Sequence, residues 1–149
     1  DILFPLNQMR DFISILEAAE YSEMNDERWN FVRLAVCIPN LTDISGNLPN
    51  ECGMINLISN DKGCYPGQEV HARLESRGRT IKRICLLTGE SAISPGKYRL
   101  SNGSFAHITS CESSESVSYG IAKLRVDDID SGSVNLDGAN WKVEALTYL

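Results

Sequence analysis

The hydrophobic pattern changes period once along the chain. Before residue 78 apolar side chains recur at helical intervals, and after it they alternate. Leu6, Met9, Ile13, Leu16 and Ala19 fall on one face across residues 6–21, with Arg10, Glu17 and Glu20 off it. This predicts an amphipathic helix. Asn25 is placed to cap a second helix, with Asp26 and Glu27 in its first turn, Trp29, Val32 and Val36 on one face, and Pro39 as its stop. Both stripes are expected to face a core. Residues 39–53 mix Pro39, Gly46, Pro49 and Gly53 with Asn and Asp, and predict an irregular surface connection. Such loops line sites, and Glu51 is the candidate there. Met54 to Ile58 is a short apolar element.

A third helix is predicted through Gln68, Glu69, Ala72 and Leu74, with Pro66 in its first turn and Gly78 as its stop. From there the alternation predicts six short strands: Thr80–Thr88, Lys97–Leu100, Ser104–Thr109, Ser116–Leu124, Ser133–Leu136 and Asn140–Tyr148. Gly-rich turns separate them at residues 94–96, 101–103, 130–132 and 137–138, and Ser110 to Ser116 reads as a mobile polar tip. Closely spaced strands of this kind suggest a small antiparallel β-barrel; for most of its aromatics, Tyr98, Phe105, Tyr119, Trp141 and Tyr148, core packing is the default role, with a nucleotide-stacking platform as the alternative. The fold class is α+β.

Charge adds a local feature. The 149 residues carry a net charge of −6, which argues against broad binding to nucleic acid or anionic membranes; no nucleic-acid or membrane partner is expected. Residues 62–83 run against this balance, with six Lys or Arg and only two acids. Arg73 and Arg77 stand four apart on the predicted helix, where they repel, an arrangement partly offset by Glu69. Paired guanidiniums suit a carboxylate or phosphate. No apolar run has the length of a membrane span. The chain opens at Asp1 on Ile-Leu-Phe-Pro, which reads as the inside of a longer protein.

Five cysteines, Cys37, Cys52, Cys64, Cys85 and Cys111, are irregularly spaced with no Cys-x-x-Cys. They form neither a disulfide framework nor a zinc site, and imply a reducing compartment. Cys64 has a different setting from the others. It lies in Lys62-Gly63-Cys64-Tyr65-Pro66-Gly67-Gln68-Glu69, on a turn just ahead of a helix N-terminus and two residues from the ammonium of Lys62. Both features favour the thiolate.

This segment resembles the signature of the YgfZ family, folate-binding proteins of iron–sulfur cluster assembly and repair related to the glycine cleavage T-protein. The likeness extends through Ala72-Arg73, Arg77-Gly78 and Lys82-Arg83. Upstream, Arg33 to Pro39 is similar to the family's Arg-x-Glu-x-Gly-Ile-Pro, and Pro49-Asn50-Glu51 to its Pro-x-Glu. Two positions depart: Ala35 stands for the family's Glu and Cys37 for its Gly.

The resemblance implies a domain division, with 1–78 as the end of a T-protein-like folate-binding domain and 79–149 as the C-terminal barrel. It implies tetrahydrofolate as cofactor, bound with help from Gln68, Glu69, Arg73, Arg77 and Glu51. Cys64, kept ionised by Lys62, would be the functional group and one ligand of an iron–sulfur cluster shared with assembly or client proteins. The implied setting is the bacterial cytoplasm or the mitochondrial matrix, and the implied service includes iron–sulfur tRNA-modifying enzymes. The rival is a folate-dependent aminomethyl or one-carbon transferase like the T-protein, a reaction that needs no thiol at position 64.

Overall fold

A computed structural model describes residues 5–59, 63–64, 66–77 and 80–146, without the side chains of residues 71 and 74–77. The chain is α+β, with five α-helices and a six-stranded antiparallel sheet among those residues. The helices are α1 (Met9–Ala18), α2 (Asp26–Ala35), α3 (Leu41–Ile44), α4 (Gln68–Arg77) and α5 (Val126–Asp130). The strands are β1 (Lys82–Gly89), β2 (Gly96–Arg99), β3 (Phe105–Ser113), β4 (Ser118–Arg125), β5 (Ser133–Leu136) and β6 (Ala139–Ala145).

The sheet runs in the order β2-β3-β4-β1-β6-β5 and curls into a half-barrel whose edge strands are β2 and β5. Strand β1 is central, and its unbroken Ile84-Cys85-Leu86-Leu87 is buried on both faces. Alternation divides the run. Cys85 and Leu87 point into the curl with Ile108, Ala122, Leu124, Leu136, Trp141 and Val143. Ile84 and Leu86 point outward, against Leu34 of α2, Cys52, Ile121 and Leu146. The β5–β6 hairpin turns on Asp137 and Gly138, both with positive φ as a two-residue hairpin loop requires.

Strand β3 carries a bulge. Ile108 is opposite Ala122 and Ser110 opposite Ile121, so Thr109 is the extra residue. Because of it, Thr109 and Ser110 both present their hydroxyls to the outer side. The predicted mobile tip at 110–116 is corrected accordingly: β3 runs to Ser113, and Ser110 is buried and hydrogen-bonded.

The first two helices form where expected but do not bury the expected faces. Asn25 caps α2 by accepting from the Arg28 N–H at 2.9 Å. Yet Trp29, 52% exposed, faces solvent together with Val32 and Val36, and the buried residues of α2 are Arg33 and Leu34. Helix α1 has no buried residue, and Leu6 ahead of it is 82% exposed. The reversal in α2 has an electrostatic cause, a carboxylate waiting under Arg33. Helices α3 and α5 were not anticipated. Pro66 and Gly67 form a turn ahead of α4, so that helix begins at Gln68 rather than at Pro66. The proposed stop at Gly78 and the strand end at Tyr148 lie outside the described residues.

Candidate functional site

Gly67 takes φ +88, a left-handed conformation that costs glycine least, and its carbonyl accepts the Val70 N–H at 3.0 Å. Cys64 and Gly63 are exposed, and so are Gln68, Glu69, Val70, Ala72 and Arg73 on α4. The structure brings Glu69 and Arg73 together at 3.9 Å with side chains 90% and 74% exposed. Lys62 and the side chain of Arg77 lie outside the described residues.

Exposure separates Cys64 from the other four thiols. Burial pushes the Cys37 thiol up, with Glu144 adding to the effect, and the Cys111 thiol likewise, with Glu112 adding. Cys52 is raised by burial and by Glu51, against a smaller opposing pull from Lys123. Cys85, at the centre of β1, is raised far further by burial. A raised pKa means less thiolate at neutral pH, hence a slower nucleophile and a poorer metal ligand.

Glu51 is placed elsewhere. Its carboxylate accepts from Lys123 Nζ of β4 at 2.9 Å and from the Leu48 N–H at 3.1 Å, while Lys123 also donates to Asn47 at 2.6 Å. Its backbone carbonyl accepts the Ile84 N–H at 2.8 Å. Glu51 therefore joins the 39–53 connection to β1 and β4.

A second polar cluster was missed by reading the sequence. Arg33 and Asp43, 5% and 0% exposed, meet beneath the bulge of β3. Asp43 Oδ2 accepts from Arg33 Nη1 at 3.1 Å and from the Asn40 N–H at 2.8 Å, and Oδ1 accepts from the Thr109 and Ser110 hydroxyls at 2.6 and 2.5 Å. All four lone-pair directions of the carboxylate are filled. Arg33 also donates from Nε to Asn30, from Nη1 to the Ile38 carbonyl, and from Nη2 to Ser110. The one signal available beforehand was Asn40-x-x-Asp43, which closes a capping box on α3. Its satisfied and buried state marks the cluster as a structural joint.

Clefts open between the β1–β2 loop and the β5–β6 hairpin, and beside α1. Among the described residues nominated from the sequence for folate or cluster binding, none lines either one. Among the described residues no group of three or more His, Cys, Asp or Glu side chains could hold a metal ion, and no helix is long and apolar enough to cross a membrane. No protein-family model and no curated protein matches the chain.

Proposed function

We propose that this protein supports iron–sulfur cluster assembly or repair as a folate-dependent accessory factor, with Cys64 as its working group. The observation that carries the reading is that Cys64 alone of the five cysteines is exposed, ahead of α4 in a segment that resembles the YgfZ signature. A single thiolate supplies a single ligand, so the cluster is cargo shared with an assembly or client protein that provides the rest. Cys37 adds support. It departs from the family's glycine yet keeps φ +59, the backbone conformation glycine serves best.

Tetrahydrofolate enters through the resemblance, and the residues on α4 fit part of it. Arg73 offers a guanidinium for the carboxylate tail, and Gln68 an amide for its polar groups. Both are exposed, so they give the pterin ring no enclosure. Glu51, already held by Lys123, is the weakest member of the proposed folate set.

The test is Cys64→Ser in cells, with iron–sulfur enzyme activity as the readout and the thermal midpoint of the purified variant beside it. Lost activity with an unchanged midpoint is expected. Normal activity would overturn the reading.

A further inference from the structure

The outward face of β2, β3 and β4, at the end next to the start of β1, carries a chemistry that the Cys64 reading does not use. Cross-strand partners in an antiparallel ladder share a face. Arg99 is opposite Phe105, Lys97 is opposite His107, and Lys82 is opposite Arg125. Ala106, Ile108, Ala122 and Leu124, the alternate residues of β3 and β4, fill the core on the other side. These six residues are all exposed, Phe105 by 43% despite its size. Lys97 Nζ stands 4.1 Å over the Phe105 ring centroid, and Asp127 reaches Arg125 at 3.4 Å in an exposed pair that salt and water weaken. Four cations thus share one face with an exposed aromatic ring, on a chain whose total charge is −6.

We propose that this face binds a short single-stranded segment of nucleic acid, with one base stacked on Phe105 and the phosphates on either side met by Lys97, Arg99, Arg125 and Lys82. An incoming base takes the place of the Lys97 ammonium on the ring, and the ammonium turns to the adjacent phosphate. Charge alone would suit an acidic peptide equally, but such a peptide has no use for the ring. A duplex hides the faces of its bases, whereas a single strand offers base and phosphate together. Four adjacent strands span roughly 14 Å, room for two or three nucleotides. The register gathers cations that the sequence scatters between residues 82 and 125, which is why the total charge pointed the other way. This site does not depend on the role of Cys64.

Fluorescence anisotropy of labelled oligo(U) and oligo(dT), each about twelve nucleotides, against the 149-residue chain at about 50 mM salt tests it. Binding of at least one is expected, and the preference between them tells RNA from DNA. Phe105→Ala should weaken it by about 5- to 100-fold. Arg99→Ala should weaken it and flatten the dependence of log affinity on log salt by about 0.7. Lys142→Ala, on β6 and paired with Glu144 at 2.6 Å, should change nothing. The proposal is overturned by no binding of either oligonucleotide, by full affinity in Phe105→Ala, or by an equal loss in Lys142→Ala. Displacement by polyglutamate as readily as by unlabelled oligonucleotide would also overturn it, in favour of an acidic polypeptide.

Discussion

Arg33 Nη1 stands 3.1 Å from Asp43 Oδ2 with both side chains withdrawn from water, directly under the two hydroxyls that the β3 bulge turns outward. The pair joins α2 and α3 to the sheet, and every donor and acceptor in it depends on the others. Such a cluster is costly to break by halves, because the charge left behind is buried without a partner.

Asp43→Asn should therefore destabilise the protein by about 3–5 kcal/mol, read from urea midpoints. Ser110→Ala, which removes one hydroxyl from the carboxylate and from Arg33 Nη2, should cost about 1–3 kcal/mol. The double change Arg33→Met with Asp43→Leu should cost less than the sum of the two single changes, since neither charge is then stranded. Additive losses would show that the two side chains act independently.

The end of α2 gives a second prediction. The Ile38 N–H bonds to the Arg33 carbonyl at 2.7 Å and the Cys37 N–H to the Leu34 carbonyl at 3.0 Å, a Schellman closure with Cys37 at φ +59. Cys37→Val should cost more than about 1 kcal/mol, because a branched Cβ is poorly tolerated at positive φ. Cys37→Gly trades lost packing against relieved backbone and should lie within about 1 kcal/mol of the parent. Urea unfolding of the two variants checks the order; Val as stable as Gly would mean that the closure imposes no strain.

What the sequence made legible follows from which forces are local. Six strands could be read because alternation and turn residues such as Asp137-Gly138 act over a few positions, and the Asn25 cap for the same reason. The burial of α2 could not be read this way. Its apolar stripe, Trp29, Val32 and Val36, predicts one face, while the partner that decides the outcome, Asp43, arrives ten residues later and is completed by Ser110 from β3. The bulge at Thr109 was equally hidden, since it moves two polar residues to one side without altering composition. From its neighbours alone Cys64 reads as a turn-presented thiol; what the structure shows of it is that it is exposed. Phe105 reads as packing by default, with base stacking only the alternative, because one strand does not show which cations its neighbours bring.

Cys64 should be the first of the five thiols to react with an alkylating agent at neutral pH, followed residue by residue by mass spectrometry. Burial raises Cys37, Cys52, Cys85 and Cys111, so raising the pH toward 9 should narrow the gap for the partly exposed Cys37 and Cys111 while Cys85 stays inert in the folded chain. Cys64→Ser should leave stability within about 0.5 kcal/mol of the parent, as exposed substitutions do. Faster labelling of Cys37 or Cys111 would remove the case for a specially available thiol.

Glu51 and Glu69, both nominated for folate, should part company when each is replaced. Glu69 meets Arg73 on the surface of α4 at 3.9 Å, where water competes for both groups; Glu69→Ala should cost no more than about 0.5 kcal/mol. Glu51 is mostly shielded, accepts from Lys123 and the Leu48 N–H, and sits where its own carbonyl holds the start of β1. Glu51→Ala leaves Lys123 facing Asn47 alone and one backbone N–H unpaired, a loss of about 1–3 kcal/mol. Urea midpoints of the two variants without ligand decide between a structural and a binding role for Glu51. If Glu51→Ala is as stable as Glu69→Ala, the link between the 39–53 connection and β4 contributes little, and Glu51 returns to the folate set on equal terms with Gln68 and Arg73.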